Sequence, residues 1–219
     1  VRIIAGDKGG FPILPPKGQT TRPMPDRVKA ALFSILGGRL PAVGTADFFA
    51  GTGSFGLEAL SRGASHCWFY ERDREASDRL RTNLRTTGLA ERGSVVGGDL
   101  FRAPFPPRNA GPGSLGIVSL DPPYPFLEAG SRLREPFRQL LIRLAGSGWP
   151  AADAVWVIRR ERRMTLPLED VPLAAYDERT YGGMTLTFLT RPGAVPIIRP
   201  AAAELEGDGD ADDEPAGEE

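Results

Sequence analysis

The chain has 219 residues, 41% of them apolar, which is enough for one domain with a full hydrophobic core. No run of about 18 apolar residues occurs, and residues 1–10 carry neither a basic nor an apolar leader segment, so a cytoplasmic protein without a membrane partner is expected. Cys67 is the only cysteine and His66 the only histidine, which excludes an internal disulfide and the usual Cys/His zinc site; no metal is expected.

The formal net charge of −1 hides an asymmetry, because residues 201–219 hold nine acids, among them Glu204, Asp208 and Asp213, and no Lys or Arg. The body then carries 27 basic side chains against 19 acids (the 28 of the whole chain less those nine), a formal charge of +8. A basic body rich in arginine suits a phosphate-rich partner, since guanidinium forks match phosphate oxygens and binding releases counterions. A genome that favours arginine codons gives the same composition.

Residues 1–25 mix short apolar pieces with Gly and Pro and read as a hairpin or extended arm. Asp26 reads as the N-cap of a helix that puts Val28, Ala31, Leu32, Ile35 and Leu36 on one face and stops at Gly37-Gly38. Arm and helix form an N-terminal extension over residues 1–40. From Ala42 onward strand and helix alternate: a strand ending near Phe49, a helix over about 55–62, and a strand over about 66–71. A longer helix follows, capped by Asp73 and stopped by Gly88 with Ala76, Leu80 and Leu84 on one face, then a short strand at Val95-Val96.

Residues 116–120 read as a buried strand, and Pro136 fits the first turn of a helix with Phe137, Leu140, Leu141 and Leu144 inward. Residues 154–158 supply another strand. Beyond Pro172 two strands follow without a helix between them, 174–180 and 185–190, joined at Gly182-Gly183 as an antiparallel hairpin on the sheet edge. The predicted class is α/β with a mostly parallel sheet over residues 41–195. Residues 196–219, made of Ala, Gly, Pro and acids, bury no core and are expected to be a disordered acidic tail.

The first chemical constellation runs from Asp47 through Gly51, Gly53 and Gly56, a strand end passing into a glycine loop that opens a helix. Glycines let the backbone turn tightly and let a ligand reach the helix N-terminus without meeting a Cβ. Glu71 stands at the end of the next strand, where a carboxylate can accept from both ribose hydroxyls of an adenosine. The pair fits an adenosine-containing cofactor and leaves its identity open, because the same Gly spacing serves nicotinamide and flavin enzymes, and a Gly-rich turn without a ligand has it too.

The second constellation, Asp121-Pro122-Pro123-Tyr124, follows the strand over 116–120 and projects from the carboxyl edge of the sheet. Paired prolines fix φ and hold the Pro122 carbonyl in place. An exocyclic base amine is a poor nucleophile, since its lone pair is delocalised into the ring. A carboxylate and a rigid carbonyl that accept its two N–H bonds favour a pyramidal nitrogen and aim the lone pair at a methyl donor. Tyr124 offers a face on which an extruded base can stack. Hydride transfer needs none of this; a Pro-Pro turn with a surface tyrosine is the bland alternative. Asp99, after Gly97-Gly98, places a third carboxylate at this edge, suited to an adenine amine or to capping its own turn.

These stretches, with Arg2-Ile3-Ile4-Ala5-Gly6, the Arg22-Pro23 helix entry with Asp26-Arg27-Val28, and Tyr181-Gly182-Gly183-Met184-Thr185, resemble the RsmD family of guanine-N2 methyltransferases over residues 2–191. The tetrapeptide itself is shared with adenine-N6 and protein-glutamine methyltransferases; the N-terminal elements narrow the resemblance. It implies a class I S-adenosylmethionine-dependent methyltransferase fold that modifies N2 of a guanine in small-subunit ribosomal RNA, free or in an assembling subunit. Asp47, Gly51 and Gly53 then line the methionine end of S-adenosyl-L-methionine, Glu71 binds its ribose, Asp99 its adenine, and Asp121, Pro122, Pro123 and Tyr124 orient the guanine. Arg22 and Arg27 are candidates for RNA or cofactor contact. Met24, Ala30 and Ser119 depart from the family pattern. A ribosome-assembly factor with a vestigial fold stays as an alternative from another class. His66, Cys67, Trp68, Trp149 and Trp156 read as packing residues, and the run Arg159-Arg160-Glu161-Arg162-Arg163 as either an RNA contact or a solvated strand end.

Overall fold

A computed structural model describes residues 1–17 and 24–194; Arg22, Pro23 and the acidic tail lie outside the described residues. Five strands run parallel: β1 (Gly44–Phe48), β2 (His66–Glu71), β3 (Gly93–Gly97), β4 (Leu115–Leu120) and β5 (Pro150–Glu161). Two more, β6 (Ala174–Tyr181) and β7 (Met184–Thr190), form the antiparallel hairpin expected from Gly182-Gly183, with β7 against β5 and β6 at the edge. The sheet order is β3-β2-β1-β4-β5-β7-β6. Successive strands step outward on one side from β1 and on the other from β4. The order reverses between those two central strands, and open α/β sheets bind ligands beyond the carboxyl ends at such a switch point.

Every residue of β1 and of β4 is buried, as parallel strands covered on both faces require. Alternate positions feed two apolar layers. Ile117 and Val155 join Leu32, Leu36, Leu57 and Leu80 on one face, from α1 (Asp26–Leu36), α2 (Ser54–Ser61) and α3 (Arg74–Thr86). Val118 and Trp156 join Phe48, Tyr70 and Trp149 on the other, under α4 (Arg134–Gly146) with its inward Phe137, Leu140, Leu141 and Leu144. The three tryptophans are core, as the sequence suggested.

The arm is bonded to this framework. It closes on itself through Ile3 N–H to the Phe11 carbonyl (3.0 Å) and Gly10 N–H to the Ile3 carbonyl (2.9 Å). Glu58 of α2, fully buried, accepts the N–H groups of Ile4 (2.6 Å) and Ala5 (3.1 Å) and the Arg62 guanidinium (2.7 Å). Lys29 of α1, equally buried, donates to the Arg2 carbonyl at 2.6 Å and to Ser54 Oγ at 3.1 Å. Arm, α1 and the start of α2 therefore share one satisfied polar network inside an apolar layer.

Two local expectations are corrected. Asp26 is the first helical residue and not the cap: Pro25 precedes the helix without a side-chain bond, and the Asp26 carboxylate instead accepts from Arg2 Nε at 3.0 Å. Strand β5 has 12 residues, longer than its apolar centre, because Pro150 already pairs with Leu115 of β4 ahead of an irregularity in register, and Arg159, Arg160 and Glu161 continue the ladder against β7. Asp73 does cap α3, accepting from Ala76 N–H at 2.8 Å.

Candidate active site at the switch point

Strand β1 ends at Phe48, and Phe49 turns the chain with φ 63°, a left-handed conformation uncommon outside glycine. Its ring is held between Phe126 and Phe137, with centroids 5.5 and 6.3 Å away, so packing supports the strained backbone. Gly51 and Gly53 follow at φ 55° and 87°. They differ in what surrounds them. A Cβ on Gly53 would lie 2.3 Å from Leu80 Cδ1, so this glycine serves the packing of α2 on α3; a Cβ on Gly51 meets nothing within 4 Å, and the loop is open on that side.

Asp47 lies beneath the loop, buried, with Oδ2 accepting the Gly56 N–H at 3.0 Å. Burial pushes its carboxyl up to about 8; the charges of Asp121 and Glu71 add to that effect, and the Gly56 bond opposes it. Glu71 accepts the Gly51 N–H and the Asp73 N–H, each at 2.7 Å, and so fixes the glycine loop to the entry of α3. A carboxylate has about four lone-pair directions, which leaves Glu71 capacity for ribose hydroxyls. Asp99 accepts the Phe101 N–H at 3.0 Å and stands 3.6 Å from Arg102 Nε, so one oxygen caps its own turn.

In register, Phe48 of β1 faces Leu120 of β4, and the next residue, Asp121, donates its N–H to the Phe48 carbonyl at 3.3 Å. The tetrapeptide thus starts beside the glycine loop. Pro122 is buried, Pro123 is extended (φ −53°, ψ 145°), and Tyr124 opens a short 3-10 turn with 60% of its surface exposed. That turn is seated by Phe126, whose ring stacks on Phe101 at 5.3 Å and meets Phe49. Loops leaving β1, β3 and β4 are thereby joined by three phenylalanines that sequence reasoning did not single out. No periodic pattern marks them, since each lies just past a strand.

Arg159 was read only as part of a charged run, an RNA contact or a solvated strand end, and not as a partner of Asp121. Its Nε is 2.6 Å from Asp121 Oδ1. Of the charged run that contains it, Arg160 is bound to Glu178, Thr187 and the Met164 carbonyl, while Arg162 and Arg163 remain exposed. Arg27 is exposed in the first turn of α1 and, among the described residues, makes no bond to the site. His66 bonds Ser94 Oγ at 2.9 Å and Cys67 is buried, both away from the loops. Among the described residues no group of His, Cys, Asp and Glu is placed to hold a metal ion, and no helix is long and apolar enough to cross a membrane.

Comparison with known proteins adds four findings. Residues 1–190 match the family described as conserved hypothetical protein 95. The ribosomal RNA small subunit methyltransferase D of Escherichia coli (strain K12) is 29% identical over 212 residues, 97% of this chain and 94% of that protein. Among solved structures, yhhF of Escherichia coli superposes with a TM-score of 0.69 at 31% identity, covering 87% of this chain and 97% of its own. An RNA methyltransferase of Salinibacter ruber, solved with S-adenosyl-L-homocysteine, shares the fold at a TM-score of 0.55 and 17% identity over 80% of this chain and 97% of its own.

Proposed function

Because the chain belongs to the conserved hypothetical protein 95 family, the RsmD family of ribosomal RNA methyltransferases, we propose that it methylates the exocyclic N2 of a guanine in small-subunit ribosomal RNA, using S-adenosyl-L-methionine. The observation that carries this reading is the adjacency of two loops at the switch point. The glycine loop after β1 and Asp121-Pro122-Pro123-Tyr124 after β4 leave neighbouring strands in register, with Asp121 bonded to Phe48. A donor site and an amine site then sit side by side, which is what an in-line transfer needs.

The residues suit the donor. Open space above Gly51 admits a ligand, and the buried Asp47 beneath it is a carboxyl that a nearby positive charge would stabilise in its ionised form. Glu71 and Asp99 lie on the two next strand ends, where the ribose and adenine of an adenosine would reach them. When bound, the donor supplies an electrophilic methyl group on a sulfonium.

The chain does the rest by orientation. Tyr124 is exposed to receive a base turned out of its stack, and Asp121 with the Pro122 carbonyl accepts the two amine N–H bonds, so that the lone pair faces the methyl. As the new N–C bond forms and the S–C bond breaks, the nitrogen sheds one proton, for which the Asp121 carboxylate is the adjacent acceptor before water takes it. The partner is ribosomal RNA or the assembling small subunit, met by the basic body of the chain. Asp121→Ala is expected to keep donor affinity in calorimetry and to lose about a hundredfold or more in transfer rate, the scale of a deleted oriented acceptor. Transfer at the wild-type rate would contradict the mechanism.

A further inference from the structure

Parallel strands β4 and β5 are in register at Leu120 and Ile158, so the next residue of each strand, Asp121 and Arg159, emerges side by side at the carboxyl edge. The two form an ion pair at 2.6 Å, with side chains 34% and 19% exposed. Among the described residues, two charged groups act on Asp121 or respond to it: Asp47 from β1 and Arg159 from β5. They pull in opposite directions. Burial holds the Asp121 carboxyl above its ordinary range, and the Arg159 guanidinium, through its charge and its hydrogen bond, draws it back down.

The protonation state decides what Asp121 can do. An ionised carboxylate is an acceptor only, whereas a protonated one carries an O–H that competes with the amine's own hydrogens and cannot take the proton the nitrogen sheds. From this geometry we infer that Arg159 is a positioning residue for methyl transfer, holding Asp121 as an ionised, oriented acceptor for the amine N–H. It rests on the proposed methyltransferase reading, but the state of Asp121 can be read without turnover. Strand β5 lies across β4 from β1, so Arg159 approaches Asp121 from the strand opposite to the one that carries the donor loop. No other arginine of the charged run has this position: Arg160, the next residue, turns to Glu178 and Thr187.

The test uses the full-length chain as wild type, Arg159→Met and Arg159→Lys. Carboxyl-carbon NMR titration of aspartate-labelled protein, with the Asp121 signal assigned by Asp121→Asn, is expected to show the midpoint of Asp121 rising by about one pH unit or more in Arg159→Met and returning towards wild type in Arg159→Lys. In turnover on unmethylated small-subunit particles, Arg159→Met should move the acid limb of the kcat profile upward by a similar shift, lower kcat near neutral pH about tenfold, and leave donor affinity within about twofold. An unmoved Asp121 midpoint overturns the inference, as does a kcat that rises in Arg159→Met, which would mean that the arginine competes with the amine. A wild-type chain that methylates no guanine instead sinks the proposed function, while the titration still decides the role of Arg159.

Discussion

Asp47 is where burial and ligand chemistry oppose each other. Its carboxyl, held at about 8 against an ordinary 3.8, keeps a proton that the unfolded chain has already lost over the interval between those values. The folded ligand-free protein therefore binds the extra proton, and its stability declines as pH rises through that window. Asp47→Asn keeps an acceptor for the Gly56 N–H and removes the titration. Its melting temperature is expected to lose the decline between about pH 5 and about pH 8 that wild type shows, and a variant with the wild-type slope would refute the assignment. The donor is a cation at sulfur, so its binding should favour the ionised form and expel the proton. Calorimetry should find affinity for S-adenosylmethionine tightening from about pH 6 to about pH 8 and levelling above, with Asp47→Asn flat and about tenfold weaker.

Single residues of the site were readable where spacing alone places them. Asp47, Gly51, Glu71 and Asp121 each stand at the end of a strand or in the turn after it, and their positions follow once the apolar runs are recognised. Arg159 was not readable as a partner of Asp121, because the pair depends on the register of β4 and β5 across 38 residues of chain. Nor was Phe49, since a positive φ is signalled by Gly or Asn and a phenylalanine holds it only through Phe126 and Phe137.

Among the elements, α2 unites the arm and the glycine loop. It follows its N-cap Gly53 and carries Glu58, to which Ile4, Ala5 and Arg62 are bonded, while Lys29 reaches its first residue, Ser54. Removing one member of such a buried charged set leaves another uncompensated, so Glu58→Ala should cost about 3–5 kcal/mol in denaturant unfolding. A loss below about 1 kcal/mol would mean that the arm is not bound as the geometry describes. The glycines of the loop give a sharper contrast. Gly53→Ala places a Cβ against Leu80 in a left-handed backbone and should destabilise the fold by about 2 kcal/mol or more. Gly51→Ala faces open space and should cost only about 1 kcal/mol of stability while raising the KM for the donor. Equal effects of the two on both quantities would contradict the separate roles.

The central strand β4 was legible because burial on both faces writes it as a short apolar run between turn residues. The length of β5 was not, because its flanks are polar and are held in the ladder by pairing with Leu115 of β4 and with β7, which leaves no apolar run in the sequence. The cap at Asp73 followed from its place before an amphipathic segment. The same logic failed at Asp26, whose carboxylate is taken by Arg2 from the arm, a tertiary contact without a local signature.

At the scale of the whole molecule, the site occupies the carboxyl edge of the sheet at its switch point, and the body that surrounds it is basic. Binding to RNA should weaken steeply with salt, as counterion release requires. Residues 201–219 hold nine acids and no Lys or Arg and are expected to be without effect on RNA binding. Its deletion should leave RNA affinity and the salt slope unchanged, whereas a tighter complex after deletion would show that the tail competes with RNA for the basic surface.

The central claim is that the two loops at the switch point pass a methyl group to a guanine amine. Its most direct measurement is transfer of labelled methyl from S-adenosylmethionine to small-subunit particles from cells lacking this gene, followed by nucleoside analysis. Label in N2-methylguanosine is the predicted result; label in N6-methyladenosine or in protein, or none at all, would contradict the account.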